Sequence, residues 1–170
     1  MYRINQRLLI RTWQFGDESF LASQANNKMI WNYVLDIFPH PYTYDDACTW
    51  IEINRKKDKA ENFALVYDGD PIGNIGIMPG ADVHRKSVAM GYWLGQEYWG
   101  KGIATLAVQW MVAYTFNEFD FNRIWAAVFS NNPASMRVLQ KAGFKQEAIL
   151  EKSVIKNGEY LNEHIFAILK

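Results

Sequence analysis

Two kinds of hydrophobic pattern alternate along this chain: short apolar or alternating runs typical of strands, and longer segments with helical spacing. Strands are predicted over residues 7–13, 61–67, 71–78, 87–94, 123–129, 144–153 and 160–169. Helices are predicted over residues 17–35 with a break near Asn26-Asn27, over 43–57 and 103–116, and from Asn132-Pro133 to Gly143. Because strands and helices are mixed, the pattern predicts an α/β or α+β fold around one central sheet.

Turn and cap residues fix several of these boundaries. Thr43 with Asp46 three residues later is a variant of the capping box that opens a helix. Asp68-Gly69 and Asn157-Gly158 each separate two strand-like runs, which is a strong hairpin signal. Pro133 stands where a first helical residue is expected. No repeat, low-complexity tract or linker interrupts the series, so we place no domain boundary.

Composition narrows the class of protein. The 170 residues are 49% hydrophobic and 15% aromatic, as expected of a packed globular domain. Lysine plus arginine balance aspartate plus glutamate at 18 each, which gives no general reason to expect nucleic acid or a membrane as partner. The N-terminus is too polar for a signal peptide, and Cys48 is the only cysteine. We therefore expect a cytoplasmic protein without an internal disulfide.

The stretch WGKGIAT, residues 99–105, places two glycines around a lysine just before a predicted helix. The first amides of a helix have no intrahelical partner, and the helix dipole makes that end positive. With Gly100 and Gly102 lacking a Cβ and Lys101 adding charge, the stretch predicts a phosphate or pyrophosphate site. A tight turn that binds nothing is an equal alternative on the glycines alone. The spacing fits neither the Walker loop nor the dinucleotide fingerprint.

A second polar cluster follows the predicted strand 123–129. Asn131, Asn132 and Ser135 stand at the end of that strand and in the first turn of the next helix. In open α/β sheets, ligands bind at the carboxyl ends of strands. The structural alternative is that Asn132 caps the helix and Ser135 merely fills its first turn.

Together these segments resemble the GNAT superfamily of N-acetyltransferases, and more closely its RimJ/RimL-like branch. The resemblance rests on FPHPYTYDDACTWI (38–51), MGYWLGQEYWGKGIAT (90–105), NNPASM (131–136) and NGEYLNEHIFAIL (157–169), in that order along the chain. It implies a single N-acetyltransferase domain over residues 1–170. The implied fold is a mixed, mostly antiparallel twisted sheet with helices on both faces and a splayed strand pair that holds the cofactor.

The resemblance also implies acetyl-CoA as cosubstrate, with no metal. The superfamily's cofactor pattern, Arg/Gln-x-x-Gly-x-Gly/Ala, falls on residues 99–104, with Trp99 in place of Arg or Gln. Amides of residues 100–105 would hold the pyrophosphate, the strand 91–94 would pair with the pantetheine arm, and Asn132 would bind a pantetheine amide. The expected cofactor-binding residues are Trp93, Leu94, Trp99, Gly100, Lys101, Gly102, Ile103, Ala104, Thr105 and Asn132.

For catalysis, the resemblance points to Ser135. Many superfamily members protonate the leaving thiolate with a tyrosine, but Leu139 occupies that position here. In the RimL-like branch the serine of Asn-x-x-Ser is the proposed donor, which corresponds to Ser135, and a water molecule is the alternative. No general base is assigned. Glu52 and Glu97 are expected to be surface charges, and the loop residue His84 gives only a weak candidate.

Three further expectations concern packing and the acceptor side. Among Trp31, Tyr33, Phe38, Tyr42 and Trp50, about half are expected to be buried and one or two to face an acceptor slot. Cys48 is expected to be a small buried residue. Near the end of the chain, Asn162 and Phe166 stand where the branch tends to have aspartate and tyrosine.

The function implied is transfer of an acetyl group from acetyl-CoA to a primary amine by direct attack on the thioester. The favoured acceptor is the α-amine of a protein or peptide N-terminus, and we expect a monomer or a homodimer. Small-molecule amines such as polyamines or antibiotics are the alternative acceptors. A non-catalytic coenzyme A-binding module and a nucleotide-binding protein that uses only the WGKG loop are the alternatives from other classes.

Overall fold

The computed structural model describes residues 1–57 and 59–170. Its strands are β1 Tyr2–Arg3, β2 Leu8–Arg11, β3 Asn62–Tyr67, β4 Asp70–Pro79, β5 Ser87–Leu94, β6 Arg123–Phe129, β7 Lys145–Lys156 and β8 Glu159–Leu169. Its α-helices are α1 Glu18–Ala25, α2 Lys28–Trp31, α3 Tyr44–Arg55, α4 Ile103–Glu118 and α5 Pro133–Lys141. The predicted bounds of β5 and β6 are confirmed. The two-residue β1 and two short 3₁₀ helices, at 82–84 and 96–98, are too short for periodicity to reveal.

In the described part of the chain, the strands form one eight-stranded sheet in the order β1-β2-β3-β4-β5-β6-β8-β7. The β1–β2, β2–β3, β3–β4, β6–β8 and β7–β8 pairs are antiparallel, and β5–β6 is parallel. The predicted mixed, mostly antiparallel sheet is confirmed. The parallel pairing covers Ser87–Ala89 against Arg123–Trp125 and stops five residues before the end of β5, as expected of a splayed pair.

Contacts divide the chain into two compact units. The first contains Met1–Gly76 and Tyr92–Ala107, and the second contains Ile77–Gly91 and Val108–Lys170. The chain passes between them at 76–77, 91–92 and 107–108, so no linker separates them. This interleaving explains why the sequence offered no domain boundary. The predicted single catalytic domain over residues 1–170 stays a prediction.

The first unit packs its helices through a core formed by Trp13, Leu21, Ala25, Tyr42, Ala47, Ile51, Ala64 and Val66. The predicted capping box at α3 is present: Oγ1 of Thr43 accepts from the backbone N–H of Asp46, whose carboxylate accepts from the N–H of Thr43. A largely buried ion pair, 2.6 Å between Nη1 of Arg11 and Oδ2 of Asp17, lies just before α1. The cap and the ion pair fix where these helices begin.

The second unit contains β6, β8, β7, α5 and the part of α4 from Val108 onward. Its fully buried side chains include Met111, Ile124, Leu139 and Phe166. The predicted Asn157-Gly158 hairpin is confirmed, with both residues at positive φ. Strand β7 runs further than predicted, to Lys156, because a bulge between residues 150 and 154 lets pairing resume beyond it.

A search of the described residues for membrane spans finds that none of the helices combines the length and hydropathy needed to cross a bilayer.

Candidate cofactor loop and active site

The predicted cofactor loop lies within the first unit, between the end of β5 and the start of α4. A 3₁₀ turn at Gln96–Tyr98 follows β5, and Trp99 then adopts an extended backbone conformation. Gly100 and Gly102 both have positive φ, 74° and 76°. These angles strain any residue with a Cβ, so the chain can make this strand-to-helix connection readily only with glycine at both positions.

The space in front of both glycines is open. A Cβ built on Gly100 or Gly102 meets no atom within 4 Å among the described residues. Backbone strain, rather than crowding by the protein, is therefore what selects glycine here. The backbone of the loop is left accessible to a ligand of some size, as the sequence led us to expect.

The N-terminus of α4 carries the polar groups that an anion requires. The carbonyl oxygen of Gly102 accepts the N–H of Leu106 at 3.2 Å, which makes Gly102 the residue that precedes the helix. Gly102 has no side chain to cap the helix, and the N–H groups of residues 103–105 have no intrahelical acceptor. The first turn contains no acidic residue. The first turn of α4 therefore offers donors and the helix dipole without a carboxylate of its own.

Lys101 adds a positive charge beside this helix end. The side chain is exposed, and its Nζ lies 5.2 Å from the centroid of the Tyr98 ring. This contact is long enough to leave the ammonium group solvated. Lys101 can therefore contribute charge to the loop while its ammonium group lies over the Tyr98 ring.

The residues before the loop are held more tightly. Leu94 is buried, and its carbonyl oxygen accepts the indole N–H of Trp99 at 2.9 Å. Trp93 is half-buried, and its ring meets that of Phe38 edge-on at 5.8 Å. A Cβ on Gly73 of β4 would collide with the Trp93 carbonyl oxygen. The glycine at 73 thus allows β4 to approach the end of β5 closely.

Asn132 and Ser135 lie in the second unit, at the start of α5. The side-chain oxygen of Asn132 accepts the backbone N–H of Ser135 at 3.1 Å, so Asn132 is the N-cap that the structural alternative described. Ser135 is half-buried in the first turn. Leu139, at the position of the family's tyrosine, is fully buried at 0% exposure and fills the core. The catalytic assignment of Ser135 stays a prediction.

The carboxylates considered as bases have surface partners. Oε1 of Glu52 lies 2.7 Å from Nζ of Lys56, both side chains are exposed, and this hydrogen bond lowers the pKa of Glu52. Oε1 of Glu97 is exposed and accepts from Nε2 of Gln24 at 3.3 Å. His84 is exposed in its 3₁₀ turn. In the part of the chain that the structure describes, no three His, Cys, Asp or Glu side chains group as metal ligands.

The two positions where the sequence departs from the branch have structural roles. Phe166 is fully buried. The side-chain oxygen of Asn162 accepts the N–H of Lys152 at 2.9 Å, which stabilises the bulge in β7, where Lys152 has a positive φ of 49°. The backbone of Asn162 pairs with Ser130 in both directions. Neither residue therefore presents the side chain that the branch's aspartate or tyrosine would present at its position.

The aromatic residues of 31–50 divide between core and surface. Tyr42 is buried, which, with the nearby Asp46, raises the pKa of its hydroxyl. Trp31, Tyr33, Phe38 and Trp50 are half-buried. The prediction that Cys48 is buried is wrong, because its side chain is partly exposed on α3.

Sequence reasoning missed a polar cleft in the first unit, about 530 Å³ in volume and lined by Ser23, Gln24, Asn27, Gln96 and Glu97. The amide of Asn27 donates to Gln96 at 3.0 Å, as Gln24 does to Glu97. These polar residues are scattered along the sequence and show no periodic signal, so only the fold could bring them together.

Comparison with known families decides what kind of protein this is. The model of the acetyltransferase (GNAT) domain matches residues 7–145, most of the chain and parts of both units. The chain belongs to the GNAT family of acetyltransferases. This membership confirms the predicted fold class and the predicted acyltransferase activity.

Relatives in Bacillus subtilis support the assignment to the GNAT family. The probable N-acetyltransferase YjcK is 37% identical over 116 residues, which make up 67% of this chain and 64% of YjcK, less than two thirds of that protein. The uncharacterized N-acetyltransferase YnaD is 28% identical over 172 residues, covering 100% of this chain and 98% of YnaD.

Solved GNAT structures share the fold over nearly the whole chain. RimL, a ribosomal L7/L12 α-N-protein acetyltransferase in complex with coenzyme A, superposes with a TM-score of 0.86 at 18% identity, covering 98% of this chain and 96% of RimL. Spermidine N-acetyltransferase from Vibrio cholerae, in complex with coenzyme A and spermine, gives a TM-score of 0.80 at 24% identity, covering 97% and 96%. At these identities the likeness is one of fold.

Proposed function

We propose that this GNAT protein transfers the acetyl group of acetyl-CoA to a primary amine, and that it favours an exposed α-amine. One observation carries the cofactor part of the proposal. Two glycines with positive φ and open space in front of them precede an uncapped helix N-terminus with a lysine beside it. Backbone donors, dipole and charge together suit the pyrophosphate of coenzyme A.

The cofactor-binding set carried over from the family is consistent with this geometry in the first unit. Residues 99–105 form the loop and the first turn of α4, while Trp93 and Leu94 end the strand that would pair with the pantetheine arm. An amide of that strand would polarise the thioester carbonyl as charge develops on its oxygen. Ser135 would donate a proton to the leaving thiolate, with the hydroxyl in the first turn of α5.

The preference for an α-amine follows from the chemistry of the acceptor. The attacking amine must be neutral, and an α-amine with a pKa near 8 is partly neutral at pH 7, whereas a lysine near 10.4 is not. Of the candidate bases, Glu52 is committed to Lys56 and has a lowered pKa, and Glu97 is exposed and bound to Gln24. An enzyme without a strong base suits the less basic amine. RimL, the similar structure described above, acts on a protein α-amine.

A polyamine is the second candidate acceptor. The similar Vibrio cholerae enzyme, solved with spermine, is a spermidine N-acetyltransferase. A polyamine carries several positive charges, so its recognition requires carboxylates or aromatic faces. The chain offers Glu97 in its polar cleft and the half-buried aromatic rings of residues 31–38.

The deciding experiment is an acceptor screen that measures thiol release from acetyl-CoA. A peptide with a free N-terminus and no lysine would be compared with the same peptide whose N-terminus is blocked and which carries one internal lysine. Spermidine would be the third acceptor. We expect the free N-terminus to react fastest, with a rate that rises with pH through the α-amine pKa near 8.

Each of the other possible results would point to a different function. A faster reaction with internal lysine or with spermidine would overturn the α-amine preference and leave the acetyltransferase assignment standing. Binding of acetyl-CoA with no reaction on any amine would favour a non-catalytic module. Equal binding of ATP and coenzyme A would contradict the cofactor assignment.

A further inference from the structure

The peptide group between Leu94 and Gly95 joins the strand that ends at residue 94 to the segment that leads into the cofactor loop. Both of its polar atoms are bonded. The carbonyl oxygen of Leu94 accepts the indole N–H of Trp99 at 2.9 Å, and the N–H of Gly95 donates to the carbonyl oxygen of Ile72 at 2.7 Å. A peptide group held at both ends has a fixed orientation, because rotation would break two hydrogen bonds.

The residue after this peptide is confined as well. A Cβ on Gly95 would collide with the side-chain oxygen of Gln24 and lie 3.2 Å from a ring carbon of Tyr98. Gln96 and Glu97 then bond to Asn27 and Gln24, in α1–α2 and the turn between them. The backbone at residues 94 and 95 is therefore fixed by its neighbours, whereas the space in front of Gly100 and Gly102 is open.

Trp99 connects the fixed segment to the open one. Its indole N–H reaches back five residues to Leu94, and its ring lies 6.3 Å from that of Tyr33. The residue is 39% exposed, more than burial alone would favour for a tryptophan. Trp99 also immediately precedes Gly100, so its backbone conformation determines the position and direction of the first residue of the glycine loop.

We propose that Trp99 is a positioning residue for coenzyme A: its N–H bond to Leu94 holds the Leu94–Gly95 peptide so that the loop amides face the pyrophosphate. The inference rests on the proposed function in that it takes the loop as the pyrophosphate site. Trp99 need not touch the cofactor for this role. The N–H bond of Trp99 fixes the start of the loop before coenzyme A binds. A flexible loop would instead have to reach the binding conformation on its own.

The test compares two tryptophans that make the same kind of bond. Trp99→Phe keeps an aromatic ring beside Tyr33 and removes the N–H donor to Leu94. Trp31→Phe is the matched control, because the indole N–H of Trp31 donates to the Phe38 carbonyl at 3.1 Å in the same unit. Calorimetry with coenzyme A gives the Kd, and NMR exchange of the Gly95 amide reports the orientation of the peptide group.

For Trp99→Phe we expect about a 5- to 10-fold higher Kd, the size of effect that loss of one hydrogen bond produces. The KM for acetyl-CoA should rise by the same factor with kcat within about twofold, and Gly95 should exchange at least about tenfold faster. Trp31→Phe should leave the Kd and the Gly95 exchange unchanged. Thermal unfolding of both variants checks that each one folds.

The outcomes separate this inference from the proposed function. If wild type binds coenzyme A and Trp99→Phe binds it equally well, Trp99 has no positioning role. If Gly95 exchange is unchanged in Trp99→Phe, the peptide is not held by the indole N–H, and the inference is wrong. If wild type fails to bind coenzyme A, the proposed function fails, and the positioning of coenzyme A by Trp99 is overturned with it.

Discussion

The N-termini of α4 and α5 differ: the start of α4 has the features of a ligand site, and the start of α5 has those of an ordinary helix cap. Each helix follows a strand, α5 after a short turn and α4 after a 3₁₀ helix and the glycine loop. At α5, the side chain of Asn132 accepts the N–H of Ser135, and Pro133 at the first position has no N–H at all. At α4, the residue before the helix is Gly102, which has no side chain to cap with. The α5 start has a side-chain cap for one of its donors, whereas Gly102 at the α4 start can provide none.

The difference also appears in the backbone and in the surrounding charge. The α4 start is reached through two glycines at positive φ with open space before them, and Lys101 stands between them. The N-cap Asn132, by contrast, has an ordinary negative φ of −118°. Uncapped donors, left-handed glycines and a nearby cation are costly for a turn that binds nothing. Their combination explains why the α4 start, rather than the α5 start, is the candidate pyrophosphate site.

The largest effect is expected for Gly102→Val, which puts a branched side chain where the anion would lie. Loss of two hydrogen bonds to a charged group, at about 1.5–3 kcal/mol each, corresponds to more than about 100-fold weaker binding of acetyl-CoA. Calorimetry would measure it. Gly158→Val is the matched control, because Gly158 also has a positive φ, 80°, and open space around it.

Both valine variants should lose at least about 1–2 kcal/mol of stability, because residues with a Cβ are strained at positive φ. Only Gly102→Val should lose binding. If Gly102→Val and wild type bound acetyl-CoA with equal affinity, the turn before α4 would not be the pyrophosphate site. The proposed functional difference between the starts of α4 and α5 would then be wrong.

A smaller effect is expected for Ser135→Ala, which tests whether the capped helix also carries chemistry. Loss of one hydrogen bond to a developing thiolate should cost about 1.5–3 kcal/mol, or roughly 10- to 150-fold in kcat. Affinity for acetyl-CoA should change little, since the bond strengthens only as charge builds on sulfur. Steady-state kinetics on the acceptor found in the screen would measure both quantities.

Ser130→Ala is the control for that measurement. Ser130 is also half-buried, but its hydroxyl accepts the backbone N–H of Asn162 and so has a structural partner. The control should keep its kcat. Wild-type kcat in Ser135→Ala would reduce Ser135 to a packing residue and make water the proton donor.

The smallest effects are expected at Asn132, where the cap and the predicted cofactor contact can be separated. Asn132→Ala removes the cap and should cost about 1 kcal/mol of unfolding free energy. Asn132→Ser keeps a good cap and removes the side-chain amide, with its NH₂ group, without adding a charge. Chemical denaturation would measure stability, and calorimetry would measure binding of acetyl-CoA.

If Asn132 contacts the pantetheine arm, Asn132→Ser should weaken binding several-fold at nearly unchanged stability. If Asn132 is a cap alone, the serine variant should match wild type in both measurements. That second result would contradict the cofactor-binding assignment of Asn132 and leave α5 as a purely structural helix start.

Local chemistry determined much of the fold in advance. The strand bounds of β5 and β6, the capping box at Thr43 and the turn at Asn157-Gly158 all depend on residues within a few positions of one another. The same holds for the WGKGIAT stretch, because a glycine pair before a helix needs no distant partner to make an uncapped, open start. The RimJ/RimL-like resemblance rested on such local stretches as well.

What the sequence could not determine depends on residues far apart in the chain. The contact between the rings of Trp99 and Tyr33 requires the fold to bring two distant segments together, which no periodicity encodes. Cys48 lies on the predicted helix but is partly exposed, because burial depends on what packs against each face.

The sequence by itself determined the element order, the caps and the glycine loop of this acetyltransferase, since turn geometry and helix ends are set by neighbouring residues. Only the tertiary structure decided which candidate groups are already engaged. Glu97 accepts from Gln24, the backbone of Asn162 pairs with Ser130, and Leu139 fills the core. The physical reason is that hydrogen-bond partners and burial depend on three-dimensional packing, where the chain brings distant residues together.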